Sequence, residues 1–125
     1  MTRSALTLAA VGLLAAGCGG SDRRGGTVTA PAGGSVRVAA KEYSFDPSTI
    51  VVRGAGTLHL RLDNNGTLAH NIKVEKDGNV LGGTPAFPAG ESRSATVRLP
   101  KGTYDFLCTV GDHAELGMKG KLKVG

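Results

Sequence analysis

The chain has 125 residues, and at about 100–200 residues per domain this length allows a single domain. Hydrophobic residues make up 40% of the sequence, charged residues 20%, and the 20 glycines indicate many turns, which together are typical of a globular protein. The formal net charge is +5, but the positive residues are scattered and are not interleaved with aromatic residues as a stacking surface for nucleic acid would require. The composition therefore excludes a large multidomain architecture and argues against a nucleic-acid partner.

Residues 1–17 are predicted to be a signal peptide. Arg3 is followed by a run of small and apolar residues from Ala5 to Ala16, which is too short to cross a bilayer as a helix. The run ends in Leu-Ala-Ala-Gly-Cys and resembles the lipobox of bacterial lipoproteins, although that motif prefers leucine at the place of Ala15. The resemblance implies that Cys18 carries lipid and that the protein is exported, extracytoplasmic and anchored to the cell membrane. An ordinary cleaved signal with an incidental cysteine is the alternative.

Residues 18–34 are predicted to form a lipid-anchored flexible tether. The segment from Gly19 to Gly34 consists mainly of Gly, Ser, Thr, Arg, Pro and Ala and offers almost nothing large and apolar to bury. Such a composition does not offset the chain entropy of folding. We therefore expect the folded domain to comprise residues 35–125. If Cys18 is lipid-modified, Cys108 is the only remaining cysteine and cannot form an intramolecular disulfide.

The body of the chain alternates between apolar and polar residues. In the run from Thr57 to Asp63, Leu58, Leu60 and Leu62 share one face, as expected for a strand with one side on a core. Six further runs share this alternation: Val36 and Val38; Ile50 and Val52; Ile72 and Val74; Ala95, Val97 and Leu99; Tyr104, Phe106 and Cys108; and Met118, Gly120, Leu122 and Val124. Turn-forming residues separate the runs, and residues 81–91 are expected to be an irregular connection. The pattern predicts an all-β fold, an antiparallel β-sandwich of about seven strands.

The C-terminal part of the sequence carries a thiol, an imidazole and a thioether at regular spacing. Cys108, His113 and Met118 are each five residues apart, and the first and last lie at the ends of two predicted strands. The intervening glycine-containing loop therefore folds over one end of the sandwich, where we expect the three side chains to converge. Two histidines and a cysteine with a weak axial methionine are the ligands of blue-copper electron-transfer sites.

Two upstream histidines are candidates for the remaining ligand. His59 is out of phase with the inward-facing leucines of its strand, so it is expected to face solvent. His70 shares the parity of Ile72 and Val74 and follows a turn-like stretch, so it is expected at a sheet end with its side chain directed inward. The pattern favours His70.

Four features between about Val36 and Val124 are typical of one protein family. They are Tyr43-Ser44-Phe45-Asp46-Pro47, Asn64 to Asn71, Gly102-Thr103-Tyr104 and the spacing Cys-x4-His-x4-Met. In these features the sequence resembles the cupredoxins of the plastocyanin, azurin and auracyanin kind. The resemblance implies a Greek-key sandwich that binds one copper ion. By position, His70, Cys108 and His113 correspond to the equatorial ligands and Met118 to the axial ligand. Asn71 corresponds to the residue that hydrogen-bonds toward Thr109 and offers its backbone N–H to the Cys108 sulfur.

The function implied by this resemblance is type 1 copper electron transfer without substrate chemistry. The copper would cycle between Cu(I) and Cu(II) at a membrane surface, and a redox partner protein would dock near His113. An aspartate, Asp112, precedes this histidine where many relatives carry glycine. A carrier that delivers Cu(I) to another protein is the alternative. The chain has three histidines in all, too few for an oxidase with several copper ions, so we expect that it is not an enzyme. We also expect a monomer.

Overall fold

A computed structural model describes residues 26–125, in which every regular element is a β-strand. The strands are β1 Thr27–Pro31, β2 Ser35–Lys41, β3 Ser44–Asp46, β4 Thr49–Arg53, β5 Gly56–Asn64, β6 Lys73–Lys76, β7 Asn79–Gly83, β8 Ser92–Leu99, β9 Gly102–Leu107 and β10 Lys119–Val124. The described part contains no helix that is long and apolar enough to cross a membrane. The predicted signal peptide and the lipidation site at Cys18 lie outside the described residues.

The strands form two sheets that pack face to face. One sheet has the order β1-β4-β10-β9-β6-β7 and the other has the order β3-β2-β5-β8. Alternation along β5 explains the packing, because Leu58, Leu60 and Leu62 are fully buried whereas His59 and Arg61 between them are exposed. Full burial of a leucine side chain contributes about 1.5–3 kcal/mol. The predicted all-β sandwich is therefore confirmed.

The strand directions differ from the prediction. The pairs β1–β4, β4–β10 and β2–β5 are parallel, so the sheets are mixed rather than antiparallel. Parallel pairing arises because the chain crosses to the other sheet between the two partners, as it does through β4 between β2 and β5. Hydrophobic alternation shows which side chains point inward but carries no information on strand direction. The short strands β1, β3 and β7 raise the count above the predicted seven.

The folded domain also begins earlier than residue 35. Strand β1 lies inside the predicted tether and pairs in register with β4, from Thr27 opposite Thr49 to Pro31 opposite Arg53. Ala30 is buried, and Val28 packs against the core. The small apolar residues of this strand alternate with threonines, and the glycine-rich composition of the longer segment obscures that pattern. The tether prediction is therefore wrong for the residues of β1.

Part of the predicted irregular connection is regular, because residues 81–83 belong to β7, which forms a hairpin with β6.

The pairing of the last two strands positions the C-terminal loop. Strands β9 and β10 pair antiparallel, with Leu107 opposite Lys119. Residues 108–118 therefore leave and re-enter the same end of the sandwich, and they close over its core there.

Candidate metal centre

Three buried side chains converge at this end of the sandwich. Cys108 Sγ lies 3.9 Å from His70 Nδ1 and 3.6 Å from His113 Nδ1, and the three donor atoms lie within 4.8 Å of one another. Bonds of about 2.3 Å to sulfur and about 2.0 Å to nitrogen, as zinc makes in proteins, separate two donors by about 3.7 Å when they meet at a trigonal angle. The observed separations match a shared metal ion.

The loop between β9 and β10 holds two of these side chains. Cys108 directly follows β9, and its backbone N–H donates to the carbonyl of Met118, at 3.0 Å. The backbone N–H of Met118 in turn donates to the carbonyl of His113, also at 3.0 Å. These two bonds bring the beginning, middle and end of the loop together.

His70 comes from a different part of the chain, between β5 and β6. Its backbone forms an isolated bridge with Phe87, with hydrogen bonds in both directions. The side-chain amide of Asn64 donates to the carbonyls of Leu68 and Phe87 and so fixes the segment that leads into His70. The imidazole is fully buried, as the parity of the following strand predicts.

Met118 lies immediately before β10, and its side chain is fully buried. Its backbone contacts place it beside Cys108 and His113 at the closing end of the loop. The backbone of the predicted axial residue is therefore bonded to two of the three donor-bearing residues.

Asn71 and Thr109 connect the two ligand-bearing segments. The Asn71 amide donates to Thr109 Oγ1 and accepts from the backbone N–H of Thr109, both at 2.7 Å. Two hydrogen bonds between residues adjacent to His70 and Cys108 hold these two side chains at a fixed distance. Bonds of this kind orient metal ligands and tune the bound metal.

The sequence of most of the domain matches a known family. Residues 32–125 match the family described as copper binding proteins, plastocyanin/azurin family. The chain belongs to this family. As a cupredoxin it has copper as its cofactor, and the buried His70, Cys108 and His113 side chains are consistent with one type 1 copper site.

Solved structures of other cupredoxins have the same fold. The auracyanin of the photosynthetic bacterium Roseiflexus castenholzii is 24% identical over 80% of this chain and 99% of its own, with a TM-score of 0.65. Auracyanin B is 26% identical over 73% of this chain and 88% of its own, with a TM-score of 0.67. Rusticyanin from Thiobacillus ferrooxidans is 22% identical over 79% of this chain and 82% of its own, with a TM-score of 0.63. Among curated proteins, none matches the sequence.

The donor chemistry of this cupredoxin suits copper. A thiolate is a soft ligand that selects Cu(I), whereas imidazole suits both oxidation states. Cys108 is fully buried and belongs to the same hydrophobic core as Phe45 and Phe106, so its sulfur is shielded from water. The apolar surroundings of the site also affect the reduction potential of a metal that is bound there.

One residue at the site was not found from the sequence. Glu42 Oε1 accepts hydrogen bonds from His70 Nε2 at 3.0 Å and from the backbone N–H groups of Thr67 and Leu68 at 2.8 and 2.7 Å. The backbone N–H groups of Leu68 and Thr67 lower the pKa of Glu42 to about 2, so this carboxylate is ionised at neutral pH. Glu42 is 28 positions from His70 and belongs to no spacing motif, so only the turn between β2 and β3 reveals the contact.

His59 lies away from the site. It is exposed on the outer face of the four-stranded sheet, and its Nδ1 lies 3.1 Å from Thr96 Oγ1. The prediction that His59 faces solvent is therefore confirmed. Of the two upstream histidines, the structure brings only His70 to Cys108 and His113.

Proposed function

We propose that this cupredoxin is a one-electron carrier tethered at a membrane surface. The observation that supports the proposal is the convergence of three buried donors from two segments that are fastened to each other by Asn71 and Thr109. Copper, when bound, supplies the Cu(II)/Cu(I) couple. We assign His70, Cys108 and His113 as equatorial ligands and Met118 as the axial ligand.

The protein's contribution to electron transfer is to keep its ligands still. The ring of His70 is held by Glu42, its backbone by Phe87, and the Cys108 segment by the bond to Asn71. Because these contacts are made within the protein, they are in place before a metal binds. A site that needs little rearrangement between oxidation states suits rapid electron exchange.

His113 is the route proposed for the electron to reach a redox partner protein. It is the most exposed of the three ligands at 8%, and the ring of Tyr43 lies 5.2 Å from its ring. Three exposed apolar side chains come from the segments around it: Tyr43 at 38%, Leu68 at 43% and Leu116 at 51%. This apolar surface, with Asp112 and Glu115 exposed on the same loop, supports a docking site for a partner near His113.

Delivery of Cu(I) to another protein is the weaker alternative. A copper-delivery surface would use exposed methionine or histidine clusters, whereas Met118 is the only methionine after Met1 and is fully buried. The single exposed histidine, His59, lies within β5 and away from the copper site. These observations favour retention of copper over its release.

We propose that the protein has no enzymatic activity of its own. The sequence has three histidines, and the proposed copper site uses His70 and His113. Only His59 remains, so the chain cannot assemble the additional copper sites of a multicopper oxidase. We also propose that the carrier acts as a monomer.

Membrane attachment is proposed to occur through lipid on Cys18. The support is the signal-like sequence before this cysteine and its resemblance to a lipobox. The described domain begins at Gly26, so seven residues separate it from Cys18. The proposed carrier is accordingly exported and works close to the outer surface of the cell membrane.

The assignment is tested by loading the protein with Cu(II) and recording its visible and electron paramagnetic resonance spectra. We expect an intense blue colour with narrow copper hyperfine splitting, because charge transfer from the Cys108 thiolate dominates the absorption. Cys108→Ser should remove the colour, while His59→Ala should leave the spectrum intact. A colourless wild-type protein, or a blue Cys108→Ser variant, would overturn the assignment.

A further inference from the structure

We propose that Glu42 is a positioning residue of the copper centre: its carboxylate fixes the His70 ring in one tautomer and places a negative charge that favours Cu(II). This inference rests on the proposed function, because it assumes that His70 is a copper ligand. Glu42 lies in the turn between β2 and β3, whereas His70 lies between β5 and β6. The contact therefore joins two separate parts of the site.

The hydrogen bonds around Glu42 determine the direction of the His70 ring. A carboxylate accepts and does not donate, so the bond to Glu42 Oε1 requires the proton of the neutral ring to be on Nε2. The other nitrogen, Nδ1, then carries a lone pair, and it is this atom that lies 3.9 Å from Cys108 Sγ. The ring is thus prepared for metal binding before a metal arrives.

The same carboxylate oxygen also holds the loop before His70. It accepts from Thr67 and Leu68, so the loop cannot move without breaking bonds to a charged group. A Cβ at Gly66 would lie 2.5 Å from Glu42 Oε1 and 2.8 Å from Oε2, so a larger residue there would displace the carboxylate from its present position. The absence of a side chain at Gly66 therefore leaves room for the carboxylate.

The charge of Glu42 is not neutralised by a basic side chain. Among the ion pairs of the described residues, Glu42 contacts only His70, and its side chain is 23% exposed. A carboxylate hydrogen-bonded to a ligand makes that ligand more basic. Because Cu(II) carries more charge than Cu(I), the interaction stabilises the oxidised site more and lowers its reduction potential.

A merely structural role for Glu42 predicts different results. If Glu42 only holds the loop in place, Glu42→Gln should change the free energy of unfolding but not the reduction potential. Glutamine keeps an acceptor oxygen at nearly the same place, so the His70 ring would stay where it is. If the charge matters, Glu42→Gln should raise the potential while the protein remains blue. Glu115→Gln is the matched control, because it removes one negative charge from the exposed part of the copper loop.

The first measurement is the reduction potential of the copper-loaded wild type and of both variants. We expect Glu42→Gln to shift the Cu(II)/Cu(I) equilibrium about tenfold toward Cu(I), which corresponds to about 59 mV for one electron. Glu115→Gln should produce a clearly smaller shift. Equal shifts in the two variants, or none, would refute the charge role and leave the electron-carrier proposal intact, since the blue spectrum tests that proposal separately.

The second measurement uses the metal-free protein. Nitrogen-15 spectra, recorded at a pH where the shifts of the rings show them to be neutral, should show the His70 proton on Nε2 in the wild type. Glu42→Ala should admit the second tautomer, and His59 should keep the same spectrum in both proteins as an internal control. A wild-type His70 with its proton on Nδ1, or a tautomer unaffected by Glu42→Ala, would refute the positioning role.

Discussion

As the proposed axial ligand, Met118 is expected to influence the balance between the two oxidation states of the copper. A thioether is a soft, neutral and weak axial donor, and this one is fully buried next to the Cys108 and His113 backbone. We expect Met118→Leu to keep copper and the blue colour, because leucine has a similar volume and the three other donors remain. The reduction potential should rise, since losing a donor costs Cu(II) more than Cu(I). Voltammetry of the loaded variant measures this shift, and a lower potential or a loss of copper would contradict it.

A single carboxylate, Asp63, connects three strands of the four-stranded sheet. It accepts from Ser92 on β8 and Arg61 on β5, and Arg37 on β2 lies 3.3 Å away. The Ser92 hydroxyl, followed by Arg61, lowers the pKa of Asp63. A lowered pKa means that the folded state holds the proton more weakly, so the stabilisation is present above the unfolded pKa of about 3.9 and is lost as the pH falls through the folded value.

We therefore expect Asp63→Asn to lower the free energy of unfolding at pH 7 by about 1 kcal/mol. The difference from wild type should shrink as the pH falls below about 4, because the unfolded wild-type chain then binds a proton at Asp63, and it should vanish below the lower folded pKa. Urea unfolding of the metal-free proteins at pH 7 and at acid pH measures this difference in the free energy of unfolding. Asp77→Asn, in the exposed β6–β7 turn, is the control. A deficit at Asp63 that is equally large at acid and neutral pH would contradict this explanation.

Strand β1 is the element whose role the structure revises most. It covers the edge of β4, and the carbonyl of Gly26 accepts from the backbone N–H groups of Ser48 and Thr49. A chain that begins at Ser35 should therefore unfold at a lower temperature than one that begins at Gly26, with a loss of about 2 kcal/mol or more from Val28, Ala30 and the strand pairing. Calorimetry of the two chains tests this expectation. Equal midpoints would show that β1 contributes nothing to the fold.

The elements that could be predicted from sequence are those in which the signal is local. Cys108, His113 and Met118 belong to one loop with fixed spacing, and the burial of His70 follows from the parity of β6. Glu42 meets His70 only because two turns from different strands come together, and no periodicity records such a meeting. Strand direction was missed for the same reason, since it depends on which sheet the chain visits between two paired strands.

The whole molecule is proposed to be a copper domain held at a membrane by its N-terminus. Cys18→Ala should release the protein from membranes and leave the copper spectrum unchanged, because the site is built entirely from residues between Glu42 and Met118. A single acyl chain binds only marginally, so durable attachment needs more than one chain on the cysteine. Membrane fractionation of cells that express each form tests this. A wild-type protein that is recovered free of membranes after processing would refute the lipid anchor.

The electron-carrier role is tested most directly by comparing the rate of electron exchange with the rate at which copper is lost. The wild-type protein is loaded with copper, and its electron self-exchange is measured by line broadening in mixtures of the oxidised and reduced forms. The transfer of Cu(I) to a strong chelator is followed on the same sample. The buried, cross-connected ligands predict many electron exchanges before one copper ion leaves. Copper that passes to the chelator as fast as electrons are exchanged would contradict the electron-carrier role and favour delivery of Cu(I).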